Sequence, residues 1–159
     1  MTELAQAVVN GLQMGFLYAL VAVGLTIIWG LMEMINFAHG EFLMLGMFGA
    51  WWLSATLGLD PLLAIVPIAL VMYAFGVLVY RLLMRRVQGG DPFTQIFATI
   101  GLLFLLQNAV VAGFTSDYRF VSESLLVRLG GAKLTLLGLA FAVPLLLAAG
   151  LALLLFLPL

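Results

Sequence analysis

The sequence predicts an all-α fold, a polytopic transmembrane helical bundle of about five spans, on three observations. Of 159 residues, 65% are hydrophobic and only 8% are charged, a composition outside the range of soluble domains. Mean hydropathy is +1.26. The uncharged intervals between successive charges are long enough, at roughly 20 apolar residues per crossing, to hold spans at about 8–31, 37–58, 62–84, 94–114 and 135–157.

The same composition excludes several function classes. With 7 acidic and 6 basic residues the net charge is -1, so no basic face exists to hold nucleic acid. Cysteine is absent and His39 is the only histidine, which removes disulfides, thiolate nucleophiles and a metal-ligand set. The only lysine, Lys133, follows Gly130-Gly131-Ala132 without the spacing of a phosphate-binding loop. No enzyme, cofactor or metal centre is expected. The stretch Met1 to Gln6 carries only Glu3 and no basic segment, so the first span is expected to stay in the mature protein.

In the first span, Asn10 and Gln13 sit one helical turn apart, and Gly11 and Gly15 form a small-xxx-small pair. Small residues permit close backbone approach in lipid, where interhelical hydrogen bonds replace the hydrophobic drive, so these four are expected at helix contacts. The alternative is that Asn10 and Gln13 face a solute path.

The run Met34-Ile35-Asn36-Phe37-Ala38-His39-Gly40-Glu41-Phe42 is a polar joint between two apolar stretches. Asn36 is a favoured N-cap for a helix starting at Phe37, and Glu41 in its second turn feels the positive end of the helix dipole. Charged or ionisable groups at mid-bilayer cost about 3 kcal/mol each on insertion scales, which places Glu33, His39 and Glu41 near one interface. Two residues apart on a helix, His39 and Glu41 point to nearly opposite faces and share no metal. Two readings stand: an interfacial cap, or a turn in which Asn36, Phe37, His39, Gly40 and Glu41 line or gate a translocation path, as interrupted helices do in transporters.

Asp60-Pro61 reads as cap and first turn of the third helix. Tyr73, Tyr80 and the cluster Arg81, Arg85 and Arg86 anchor its far end. Gln88-Gly89-Gly90-Asp91-Pro92 is a turn into the fourth span. That span carries Thr99, Gln107 and Asn108, each readable as interhelical glue or as path lining, with Thr99 nearest mid-span. Thr115 to Lys133 is the one sizeable soluble stretch, with a short hairpin predicted at Leu125–Leu129 before Gly130-Gly131. In the fifth span Pro144 is expected to cause a kink. Leu151 to Leu159 offers only Phe156 as an interfacial flank, so a C-terminal half is expected to follow. The arginine cluster abutting the third span favours a cytoplasmic loop there and an external N-terminus, although Arg119, Arg128 and Lys133 equal it in number.

Asn10-Gly11-Leu12, Gly15-Phe16-Leu17-Tyr18-Ala19-Leu20, Ala22-Val23-Gly24-Leu25-Thr26 and the run Ile35 to Phe42 with Met44-Leu45-Gly46 occur in order. Together with Thr99-Ile100-Gly101-Leu102 and Leu106-Gln107-Asn108 they resemble the branched-chain amino-acid ABC transporter permeases, Asn36 to Glu41 being the most specific part. Permeases for urea and short amides share much of this pattern. The resemblance implies a multi-pass subunit of the bacterial inner membrane, paired with a second permease subunit, related or identical. It also implies separate ATP-binding subunits, a periplasmic solute-binding protein, and a chain of about twice this length by span counting. A proton-coupled carrier or channel using Glu33, His39 and Glu41 is the reading from another class; a structural membrane subunit with no path is a third.

Overall fold

The computed structural model describes residues 2–115, 117–121, 133–136 and 139–156. They form two compact units, one from residues 1–27 with 125–159, the other from residues 28–124.

The first unit is built on helix α1 (Thr2–Met32), whose last turns run on into the second unit. At about 1.5 Å per residue its 31 residues extend about 46 Å, more than the roughly 30 Å of a bilayer core. Strands β1 (Lys133–Leu136) and β2 (Leu139–Ala142) pair antiparallel, Lys133 opposite Ala142 and Leu136 opposite Leu139. Helix α5 (Val143–Phe156) follows directly. A fifth helix starting near residue 135 is thus corrected: it starts at Val143. The physical reason is local. Pro144 has no N–H to donate and is best placed in a helix's first turn, where that donor has no partner anyway. The kink expected at Pro144 is absent for the same reason. The backbone just before it finds its hydrogen bonds in β1 and in side chains of α1. The hairpin predicted at Leu125–Leu129 lies outside the described residues.

Among the described residues, the second unit holds three helices besides the end of α1. Helix α2 (His39–Leu57) ends at Gly58, whose φ of 62° is left-handed and whose N–H donates to the Leu53 carbonyl. Asp60 then caps helix α3 (Pro61–Val79), its carboxylate accepting from the Leu62 N–H at 2.9 Å with Pro61 in the first turn. Phe42 meets Phe75 with ring centroids 5.6 Å apart, and Gly49 lies against Ile68. One index rises as the other falls, so α2 and α3 run antiparallel.

Helix α3 continues through Val87, but Tyr80–Met84 winds as a π-helical turn. Gly89, at φ 79°, and Gly90 turn the chain, and Asp91 caps helix α4 (Pro92–Phe114) by accepting from the Phe93 N–H at 3.0 Å. On α4 the buried residues are Thr99, Leu102, Leu106 and Val110, a single stripe at helical spacing. Leu102 and Leu106 pack with Met34, Ala38, Val79 and Met84 in the core of this unit.

Three described helices, Glu3–Met32, Pro61–Val87 and Pro92–Phe114, are long and apolar enough to cross a membrane. The chain is a multi-pass membrane protein. Against five expected spans, α2 reaches 19 residues with His39 and Glu41 in its first turn, and α5 is described over 14. Leu63, Val66, Leu70 and Tyr73 remain exposed along α3, an apolar surface suited to lipid or to further helices.

Candidate functional site

The polar joint is a corner built by two backbone devices on either side of a buried side chain. Glu33 ends α1 in the left-handed region at φ 51°, with its N–H donating to the Trp29 carbonyl at 2.8 Å. A non-glycine residue there carries strain of order 1 kcal/mol, which the surrounding packing must hold. Met34 is then buried, 2% exposed. Finally, Asn36 Oδ1 accepts from the Ala38 N–H at 3.0 Å while the Asn36 carbonyl accepts from the His39 N–H at 3.3 Å. Asn36 therefore closes a turn ahead of the helix and is not its N-cap: regular helix starts at His39 instead of Phe37, the N-cap position is Ala38, and no side chain caps it.

Ala38, 0% exposed, sits at the centre of the core. Beneath the corner lies Thr99, also 0% exposed. Its hydroxyl proton is shared between the Ile96 carbonyl of its own helix at 3.0 Å and the Ile35 carbonyl of the corner at 3.4 Å. Thr99 thus ties α4 to the corner, and it lines no described cavity. Thr99→Val keeps the shape and removes the proton. It is expected to lower the unfolding free energy in detergent by about 1 kcal/mol, with Thr99→Ser retaining most of it; equal melting of wild type and Thr99→Val would refute the tie.

A cavity of about 340 Å³ opens beside the corner, with Asn36 and His39 as polar wall and Met32, Met34, Met72 and Met84 among its apolar lining. Unbranched, polarizable thioethers make such a wall adaptable to different apolar shapes. Phe37 and Gly40 are exposed, and Glu41 is half-buried outside the cavity wall. The structure therefore gathers Asn36, His39 and, through Ile35, Thr99. Gln107 belongs to a second cavity, of about 360 Å³. Asn108 donates to the Phe104 carbonyl of its own helix at 2.7 Å.

Of the residues expected at helix contacts, Gln13 is buried, 5% exposed, its Oε1 accepting from the Ala142 N–H at 3.5 Å. Asn10 is exposed and accepts from Gln6 Nε2 at 2.9 Å. Gly11 and Gly15 lie open, a Cβ at either meeting nothing within 4 Å. Sequence reading passed over Gln6, whose amide both donates to and accepts from the backbone of Ala140 at 2.8 Å. Its signal was the seven-residue spacing to Gln13, two turns along one face.

Residues 7–158 match the family described as branched-chain amino acid transport system / permease component. A relative is the high-affinity branched-chain amino acid transport system permease protein BraD of Pseudomonas aeruginosa, 41% identical over 114 residues, 67% of this chain and 37% of that protein. The corresponding LivH proteins of Escherichia coli K12 and Salmonella typhimurium are 34% and 33% identical over 113 residues, again 66% of this chain and 37% of theirs. The match thus spans little more than a third of these relatives' length. No solved structure matches the chain. With the family match running over nearly the whole chain, the protein belongs to the branched-chain amino acid transport system permease family.

Proposed function

We propose that this chain is the N-terminal part of a transmembrane permease subunit of an ABC importer, moving leucine, isoleucine and valine across the bacterial inner membrane. It works beside a second permease subunit, related or identical. Separate ATP-binding subunits supply the energy and a periplasmic solute-binding protein delivers the substrate. The subunit conducts solute and is not an enzyme. The observation that carries this reading is the family match over residues 7–158, with relatives named as high-affinity branched-chain amino acid permeases.

Within that role, the corner Asn36-Phe37-Ala38-His39-Gly40-Glu41 acts as a gate. An interrupted helix can change its path by altering a few backbone angles, and the left-handed Glu33 concentrates that freedom at one point. Asn36 and His39 present polar atoms to a methionine-lined cavity, a surface suited to an amino acid with an aliphatic side chain. Thr99 holds the corner against α4.

The test is uptake of radiolabelled leucine by liposomes containing the complete permease with its ATPase and binding protein. Uptake is expected to require ATP and the binding protein, and to be competed by isoleucine and valine. Uptake driven by a pH gradient without ATP would replace this reading with a proton-coupled carrier acting through Glu33, His39 and Glu41. Competition by urea or short amides would change the substrate class, and absence of any solute flux would leave a structural subunit.

A further inference from the structure

The second cavity has a chemistry of its own. Its apolar wall includes Met44, Met47, Phe48 and Val110, and its polar rim includes Asp117 and Arg119, just beyond the end of α4. A volume of about 360 Å³ is of the size that holds one small molecule.

Among the described residues, the polar contacts of Arg119 all run through Nη2. Its Nη2 donates to the Phe114 carbonyl at 3.2 Å and lies 3.5 Å from Thr115 Oγ1 and 3.9 Å from Asp117 Oδ2. The guanidinium stacks over the Trp51 ring, 4.7 Å from its centroid, which orients the plane as a cation–π contact does. Trp51 is itself held edge-on to Phe114 at 6.4 Å, and Phe48 lies 5.2 Å from the same ring. Nη1 and Nε take no part in these contacts among the described residues, and a guanidinium presents such a free edge to a carboxylate in bidentate fashion. Among the described residues Asp117 is likewise engaged through Oδ2, which accepts from the Thr115 hydroxyl at 2.9 Å. Its side chain is 76% exposed, so its long pairing with Arg119 contributes little stability and is readily exchanged.

We propose that this cavity binds a zwitterionic amino acid with an aliphatic side chain: the carboxylate on the free edge of Arg119, the ammonium on Asp117 Oδ1, the side chain against Met44, Met47, Phe48 and Val110. A charged pair on one rim and an adaptable apolar wall opposite is the complement of such a molecule, and each end of the ligand replaces half of an ion pair that is weak to begin with. This inference rests on the importer reading and locates a substrate station at the end of α4 away from the gate.

The probes are L-leucine, isocaproate, which lacks the ammonium, and isopentylamine, which lacks the carboxylate, titrated onto the complete transporter in nanodiscs. Wild type is expected to prefer leucine over both. Arg119→Gln is expected to weaken leucine at least about tenfold and to erase its advantage over isopentylamine, a loss that Arg119→Lys partly restores. Asp117→Asn, on an exposed side chain, is expected to erase the advantage over isocaproate while the protein melts as wild type does. Unchanged leucine affinity in both variants, or equal losses for all three probes, would overturn the site even where ATP-driven leucine uptake upholds the importer reading. A wild-type transporter that carries no leucine overturns both.

Discussion

Ala38→Leu in the complete permease is expected to abolish most leucine uptake while leaving the protein in the membrane. Ala38 is 0% exposed and packed among Met34, Val79, Met84, Leu102 and Leu106. Three added carbons have no room there, and overpacking of this kind costs about 1–3 kcal/mol. The strain falls on the backbone bonds that shape the corner, because the Ala38 carbonyl accepts from both Glu41 and Phe42 at 3.0 and 3.3 Å, and its N–H donates to Asn36 Oδ1. A shift of the corner therefore displaces Asn36 and His39 together. Uptake in liposomes should fall about tenfold or more, whereas Leu31→Ala, at an exposed position outside the corner, should retain most of it. Wild-type uptake by Ala38→Leu would show that the corner does not set the transport rate.

The largest effect on stability is expected at Leu106. It is 5% exposed on the inner stripe of α4, while Leu105 next to it is 63% exposed. Leu106→Ala leaves a void that packed neighbours fill only in part, at a cost of about 2–5 kcal/mol. Leu105→Ala should cost well under half of that. The measurement is thermal unfolding of both variants in detergent. Equal losses would mean that α4 is covered on both faces in the complete protein, and that its inner stripe has no special standing.

The helices and the joint were legible in the sequence for one reason: in lipid a chain must satisfy its own backbone, so apolar intervals become helices and polar residues collect where helices break. Asp60-Pro61 announced α3 through capping chemistry that acts within three residues, and the turn Gln88 to Pro92 announced the start of α4, though not that Asp91 would cap it. What was not legible depended on distant partners. Leu139–Ala142 is as apolar as the helices around it, and among the described residues it is β1 and the amides of Gln6 and Gln13 that make it a strand. The left-handed Glu33 and the contact of Thr99 with Ile35 arise from packing, and nothing in the residues Tyr80–Met84 signals a π turn. The motif Asn36 to Glu41 identified the family, but not that Asn36 and His39 would share a methionine-lined cavity, since this requires α3 to bring Met72 and Met84 to it.

The wide turn at Tyr80–Met84 is how a helix absorbs one residue more than regular winding holds. Spreading residues four and five apart over the same face, it groups Arg85 and Arg86 around Arg81, all three exposed. Deleting one residue here is expected to restore ordinary winding and to turn Met84, a core residue, relative to Val79. Arg85 and Arg86 would rotate with it relative to Arg81, so the length of this stretch sets where positive charge points.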